Sequence, residues 1–123
     1  MLVVDDEPVV AQYAQTVLER AGYTVMTACD GAEALQVCEG HHGVIDLLLT
    51  DIQMPRLNGL ELAQCLVDHK WNVPVLFMTG YKGDSELKGQ LRSVHGMDGQ
   101  TLLQKPFTPD RLLVAIDQAL QQR

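Results

Sequence analysis

Short apolar runs alternate along the chain with longer stretches in which apolar residues recur every three or four positions. This alternation is typical of an α/β fold in which strands and helices follow one another and the sheet is parallel. Most of the runs lack the polar positions of a strand that faces water on one side, so we expect helices on both faces of the sheet. The predicted strands cover residues 2–4, 23–28, 44–50, 73–79 and 101–104.

Helix start and stop signals stand between these strands. Proline suits the first turn of a helix, glycine suits the position after the last turn, and Asp or Asn followed three residues later by Glu can form a capping box. The stretch within residues 84–94 has the weakest helical pattern, and we expect it to be short, irregular or mobile. The signals for the other four helices are Pro8 and Gly22, Asp30 and Glu33, Asn58 and Glu61, and Thr108 with Pro109.

Length and composition limit the possible functions. A chain of 123 residues, 46% of them hydrophobic and 20% charged, fits one globular domain that covers residues 1–123. The net charge of −7 repels nucleic acid and anionic membranes, so we expect no direct contact with nucleic acid. No apolar stretch approaches the roughly 20 residues of a membrane-spanning helix, and the N-terminus does not resemble a signal peptide. We therefore expect a cytoplasmic protein without membrane insertion, or a cytoplasmic part of a larger protein.

Polar residues follow the predicted strands at the edge of the sheet where ligands of such folds bind. They are Asp5 and Asp6 after the first strand, Asp51 after the third, Thr79 at the end of the fourth and Lys105 after the fifth. Three carboxylates beside one ammonium leave a local charge of about −2, which requires a bound cation or protons. Oxygen ligands without His or Cys favour a hard divalent ion such as Mg²⁺, which would also neutralise a phosphoryl group. The residues therefore indicate phosphoryl chemistry on a carboxylate.

Four separated motifs resemble those of the receiver domain of two-component response regulators, and the resemblance covers essentially the whole chain. The motifs are Asp5-Asp6, Asp51-x-x-Met54-Pro55-x-x-x-Gly59, Thr79-Gly80 and Lys105-Pro106-Phe107. The resemblance implies a flavodoxin-like (βα)5 sandwich of three layers, with a central parallel sheet of five strands in the order 2-1-3-4-5. It also implies phosphorelay signal transduction, in which the domain catalyses its own phosphorylation and dephosphorylation.

The same resemblance implies a role for each acidic residue. Asp51 would accept the phosphoryl group from a phosphohistidine on a histidine kinase or a histidine phosphotransfer domain. Asp6, Asp51 and the backbone carbonyl of Gln53 would hold Mg²⁺, and Asp5 would act mainly through bound water.

The resemblance also implies contacts to the phosphoryl group and a conformational switch. Lys105 would hold a phosphoryl oxygen, and the backbone N–H groups of Ile52 and Gly80 would be further donors. Thr79 would move toward the phosphoryl group and so switch the conformation. Receivers generally carry an aromatic residue three positions before the lysine, whereas this chain has Leu102. We therefore expect the signal output to be weak, unusual or dominated by phosphate flow.

Other functions and contexts fit parts of this pattern. An Mg²⁺-dependent phosphohydrolase with an aspartyl-phosphate intermediate would need an acid two residues after the nucleophile, where this chain has Gln53. A receiver-like domain that only binds partners would not need the complete set of reactive side chains. The sequence fits a free-standing regulator or a receiver from a longer protein. Its segment LLQKPFTP, residues 102–109, resembles receivers fused to hybrid sensor histidine kinases.

Overall fold

A computed structural model of the chain describes residues 1–41, 45–52, 57–71, 73–79, 102–105 and 107–121. These ranges contain five strands and four helices. The helix predicted within residues 84–94 lies outside them. In chain order the elements are β1 (Leu2–Val4), α1 (Pro8–Arg20), β2 (Met26–Ala28), α2 (Gly31–Gly40), β3 (Leu48–Asp51), α3 (Gly59–Asp68), β4 (Val75–Thr79), β5 (Leu102–Gln104) and α4 (Pro109–Gln121).

The five strands form one parallel sheet in the order β2-β1-β3-β4-β5. This order confirms the predicted sheet. Val4 at the end of β1 pairs with Thr50 of β3, so the residues that follow them, Asp5 and Asp51, lie side by side at the carboxyl edge. The sheet topology alone therefore brings together two carboxylates that are distant in the sequence.

Side chains of the central strands alternate between two buried layers, as the two-residue period of a strand requires. Leu48 belongs to the layer covered by α2 and α3, while the next residue, Leu49, belongs to the layer covered by α1 and α4. A fully buried leucine contributes roughly 2 kcal/mol of hydrophobic stabilisation. Both helix layers therefore hold the sheet in place, and the predicted three-layer sandwich is confirmed.

Several strand bounds differ from the prediction. β2 begins at Met26 instead of position 23, because the Tyr23 N–H still bonds to the Leu18 carbonyl at 3.1 Å and so belongs to the end of α1. β3 includes Asp51, which the apolar pattern places just after the strand. This carboxylate is therefore carried by the sheet itself. β3 and β4 also start later than predicted, at Leu48 and Val75, while β5 is described from Leu102, the first described residue of that segment.

Capping side chains hold the N-termini of α2 and α3, with a complete capping box at α3 and the Asp30 half of the predicted box at α2. The Asn58 side chain accepts from the Glu61 N–H at 2.8 Å, and the Glu61 side chain accepts from the Asn58 N–H at 3.0 Å, which completes a capping box. At α2, Asp30 Oδ1 accepts from the Glu33 N–H at 2.8 Å. Losing such a cap typically costs about 1 kcal/mol. The box at α3 also fixes Gly59, the first residue of that helix, which lies against the end of β3.

Candidate functional site

The predicted constellation assembles at the carboxyl edge of the sheet. Asp5 follows β1, Asp51 ends β3, Thr79 ends β4 and Lys105 follows β5. Asp5, Asp51 and Thr79 are buried, whereas Asp6 is exposed. Most of the site is therefore buried, and the Asp6 carboxylate faces solvent.

The Lys105 ammonium pairs with two carboxylates. Its Nζ lies 2.7 Å from Asp5 Oδ2 and 3.2 Å from Asp51 Oδ2. Burial lowers the pKa of Lys105, but the hydrogen bonds and charges of Asp5 and Asp51 outweigh burial and raise this pKa above its ordinary value. Lys105 is therefore a cation at neutral pH and offsets part of the negative charge of the site.

Backbone hydrogen bonds fix both partners of the shorter ion pair. The Lys105 N–H donates to the Thr79 carbonyl at 2.7 Å, immediately after the pairing of β4 with β5. Asp5 Oδ1 accepts from the Glu7 N–H at 2.9 Å, and the Asp5 N–H donates to the Ala28 carbonyl at 3.2 Å. The ammonium and the carboxylate are therefore positioned by the sheet and by the first turn after it.

Three neighbours hold the peptide group that follows Asp51. The Thr50 hydroxyl donates to the Asp51 carbonyl at 3.0 Å, and the Ile52 N–H donates to the Met78 carbonyl at 3.1 Å. Gly59 packs so close to this peptide that a Cβ at its position would overlap the Asp51 carbonyl oxygen. Glycine is therefore required at position 59 because of space.

The carboxylates of Asp5, Asp6 and Asp51 are close enough to share a metal ion. Each offers one oxygen, and the three oxygens lie within 4.8 Å of one another. Hard oxygen donors suit Mg²⁺, which binds through few protein carboxylates and keeps several waters. The donor set therefore fits the Mg²⁺ that the sequence predicts.

Some predicted site residues are not placed by the structure. Gln53 and Gly80 lie outside the described residues. The Ile52 N–H, predicted as a phosphoryl donor, already donates to β4, so this role stays a prediction that requires sharing or breaking that bond. Leu102 lies opposite Phe77 in the pairing of β5 with β4, and its role in a switch also stays a prediction.

One buried polar group beside the site is not predicted from the sequence. Thr50 is fully buried, and its hydroxyl donates to the Asp51 carbonyl. A threonine also suits a strand through its β-branched shape alone. The only signal in the sequence was therefore a polar residue at the end of an otherwise apolar run.

Comparison with known families identifies the chain. The profile of the response regulator receiver domain matches residues 1–117. The chain belongs to this family. It is 38% identical over 109 residues to the alkaline phosphatase synthesis transcriptional regulatory protein PhoP of Bacillus subtilis (strain 168), and 33% identical over 123 residues to the probable transcriptional regulator ycf27 of Cyanidium caldarium. These matches cover 89% and 98% of this chain but 43% and 46% of the two relatives, so the receiver spans less than half of their length.

Solved structures of response regulators share this fold. The chemotaxis protein CheY4 of Vibrio cholerae matches with a TM-score of 0.82 and 30% identity, over 96% of this chain and 95% of CheY4. The receiver domain of NtrX from Brucella abortus matches with a TM-score of 0.84 and 28% identity, over 99% and 98% of the two chains. The flavodoxin-like receiver fold is therefore confirmed, and the domain is a module of two-component signal transduction. Among the helices that the structure describes, none has the length and apolar character needed to cross a membrane.

Proposed function

We propose that this receiver accepts a phosphoryl group on Asp51 from a phosphohistidine of a histidine kinase or a histidine phosphotransfer domain. The observation that carries the proposal is the environment of the Asp51 carboxylate. It ends a central strand, pairs with Lys105 at 3.2 Å and has an oxygen within 4.8 Å of oxygens of both Asp5 and Asp6. A carboxylate held in this way is positioned to attack an incoming phosphorus atom.

The proposed transfer is a displacement at phosphorus. A carboxylate oxygen of Asp51 attacks the phosphorus atom, so the new O–P bond forms while the P–N bond to the donor imidazole breaks. The electron pair of the broken bond stays with the imidazole, which takes a proton from water. Lys105 stabilises the negative charge of the transferred group, because its ammonium lies beside the attacking carboxylate.

The acidic cluster supports a role for Mg²⁺ in this step. When bound, Mg²⁺ would neutralise charge on the phosphoryl oxygens. Asp6, Asp51 and the backbone carbonyl of Gln53 would hold it. Asp6 is exposed and accessible to an ion from solvent, whereas Asp5 is buried and already bonded to Lys105, which suits an indirect role through water.

Thr79 and Leu102 are the proposed elements of the switch. Thr79 ends β4, and its carbonyl accepts from the Lys105 N–H just after β5. A movement of Thr79 toward the phosphoryl group would therefore pull on β5, which contains Leu102. Without an aromatic residue at position 102, we expect this output to be weak or unusual. Hydrolysis of the phosphoaspartate, catalysed by the same domain, would reset the signal.

We also propose where the domain works. The receiver is cytoplasmic in this proposal, and its net charge of −7 disfavours direct contact with nucleic acid. For a longer parent protein, residues 102–109 favour a hybrid sensor histidine kinase, while PhoP and ycf27 are transcriptional regulators by name. The sequence of the full gene decides between these contexts.

A transfer assay tests the proposed function. A histidine phosphotransfer protein carrying radiolabelled phosphohistidine is mixed with the receiver in Mg²⁺ or in EDTA. We expect label to reach the receiver only with Mg²⁺, and to be absent from Asp51→Asn. Asp46→Asn is the matched control, because Asp46 is exposed and is not part of the acidic cluster. Equal labelling of Asp51→Asn, or continuous hydrolysis of phosphate monoesters without a lasting adduct, would contradict the proposal.

A further inference from the structure

Four polar or charged residues are buried in the described part of the chain: Asp5, Thr50, Asp51 and Thr79. Three of them belong to the predicted phosphoacceptor site. Thr50 is the exception, and it precedes Asp51 directly in β3. A buried polar side chain in a central parallel strand requires an explanation, because valine or isoleucine would pack there without a hydroxyl to desolvate.

The position of Thr50 in the sheet excludes contact with solvent. It pairs with Val4 of β1 on one side and Phe77 of β4 on the other, and it is 0% exposed. Both neighbours belong to the apolar layer covered by α2 and α3. The hydroxyl donates to the Asp51 carbonyl at 3.0 Å, and this bond offsets the cost of burying it.

The acceptor of this bond belongs to the peptide that orients Asp51. A peptide group is planar, so bonds to its oxygen and to its N–H together fix its plane. The oxygen is held by the Thr50 hydroxyl, and the N–H, which belongs to Ile52, is held by the Met78 carbonyl at 3.1 Å. Gly59 also packs against this peptide. The orientation of this plane helps to set the direction in which the Asp51 side chain points toward Lys105.

We propose that Thr50 is a positioning residue for phosphoryl acceptance, and that its hydroxyl holds the Asp51–Ile52 peptide so that the Asp51 carboxylate faces the incoming phosphorus. This inference rests on the proposed function of Asp51. Thr50 itself does not touch the phosphoryl group. Its effect is on the geometry of attack, and displacement of a reacting group by a fraction of an ångström slows such steps severalfold or more.

The test compares Thr50→Val, which has the same shape without the hydroxyl, with Thr50→Ser, which keeps the hydroxyl. Initial rates of phosphorylation are measured with acetyl phosphate and Mg²⁺ over a range of concentrations of each. We expect Thr50→Val to lower the saturated rate by about tenfold and to leave the half-saturating concentrations unchanged. Thr50→Ser is expected to restore most of the rate. Thr27→Val, on an exposed residue of β2, is the matched control.

A second readout does not depend on phosphorylation. Hydrogen exchange of the Ile52 amide reports on its bond to Met78, and we expect faster exchange in Thr50→Val than in the wild type or Thr50→Ser. A purely structural role would lower the stability of Thr50→Val without changing the saturated rate of the folded fraction, and this result would overturn the inference. Should Thr50→Val not fold, Thr50→Ala provides the same test, because the smaller alanine removes the hydroxyl without a steric clash.

The outcomes separate this inference from the proposed function. A wild-type receiver that is phosphorylated on Asp51 while Thr50→Val reacts at the same rate overturns the role of Thr50 alone. A wild-type receiver that forms no adduct overturns the proposed function, and the role of Thr50 in it falls as well.

Discussion

Lys105 and Asp5 form the shorter of the two ion pairs that the ammonium makes with described residues of the site, with 2.7 Å between Nζ and Oδ2. The Asp5 side chain has no exposed surface, and 16% of the Lys105 side chain is exposed. Removing the ammonium alone leaves the buried Asp5 carboxylate without its cationic partner, which destabilises the fold. Removing both charges avoids this cost, because no unpaired charge then remains buried. The two residues are therefore expected to be energetically coupled.

Double-mutant unfolding tests this coupling. We expect Lys105→Met to lower the free energy of unfolding by about 2 kcal/mol, below the usual cost of breaking a buried pair because Lys105 is partly exposed. Adding Asp5→Asn is expected to restore about 1 kcal/mol. Urea unfolding in EDTA measures all four proteins of the cycle. Effects that simply add would show that the pair contributes nothing beyond the individual side chains.

Repulsion among the three carboxylates predicts a stability that depends on Mg²⁺. In EDTA, we expect Asp6→Asn to raise the melting temperature by about 1 to 3 °C, because one like charge is removed from the cluster. With Mg²⁺ in excess, the wild type gains the stabilisation of a bound ion and the order is expected to reverse. Thermal unfolding of both proteins is measured with and without Mg²⁺.

The control for this experiment is Asp46→Asn, which removes the same charge from an exposed position outside the cluster. We expect it to follow the wild type in both conditions. An Asp6→Asn variant that is less stable than the wild type in EDTA would contradict the account of the cluster.

The sequence was sufficient to place the charged residues of the site, because each of them follows or ends an apolar run. Asp5, Asp51 and Lys105 meet where that pattern puts them, at the carboxyl edge of the sheet. The strand order itself came from the resemblance to receivers, since apolar runs do not encode which strands are neighbours. The apolar pattern therefore predicts the strands and helices, whereas the order of the strands in the sheet follows from the resemblance to receivers.

Features that depend on tertiary contacts were not predictable in the same way. In the sequence Gly59 is only the last residue of a motif that resembles receivers, and the structure shows that the Asp51 carbonyl occupies the space of its missing Cβ. Threonine is a common strand residue because of its β-branched shape, so the sequence gives no sign that the Thr50 hydroxyl bonds to the Asp51 carbonyl. The late start of β2 reflects the bond from the Tyr23 N–H to the Leu18 carbonyl, which no periodicity in the sequence reveals.

Gly59 provides a steric test of the Asp51 peptide. A Cβ at position 59 would overlap the Asp51 carbonyl oxygen, so we expect Gly59→Ala to lower the free energy of unfolding by about 2 kcal/mol. The folded fraction is expected to accept phosphoryl groups more slowly, because the same peptide orients the Asp51 carboxylate. Urea unfolding and the initial rate with acetyl phosphate measure the two effects.

Gly40→Ala is the matched control for this substitution. A Cβ at Gly40, the last residue of α2, meets no atom within 4 Å. Alanine is the better helix former, so we expect unchanged stability or a gain of up to about 1 kcal/mol. Equal effects of the two substitutions would rule out the steric explanation.

We predict that the Cys29 thiol is alkylated slowly at neutral pH although it is exposed. Its Sγ donates to Glu33 Oε2 at 2.8 Å, and this bond, followed by burial and the charge of Glu33, raises the pKa of the thiol. Because the thiolate is the form that reacts with iodoacetamide, the pH midpoint of alkylation is expected to lie above that of an ordinary thiol. Glu33→Gln is expected to lower this midpoint. Mass spectrometry of the Cys29 peptide across a pH series measures it.

Glu39→Gln is the control for Glu33→Gln. Both glutamates are exposed on α2, but Glu39 does not contribute to the pKa of Cys29. We expect it to leave the alkylation midpoint unchanged. A midpoint that is the same in Glu33→Gln and in the wild type would exclude the hydrogen bond as the cause.

Asp51 is the proposed acceptor of the phosphoryl group. The most direct measurement is mass spectrometry of the intact receiver and of its peptides after incubation with Mg²⁺ and acetyl phosphate. We expect one phosphoryl adduct, located on Asp51, which is absent in EDTA and in Asp51→Asn and present in Asp46→Asn. An adduct that forms equally on Asp51→Asn, or a wild-type receiver that carries none, would contradict the assignment of Asp51 as the phosphoacceptor.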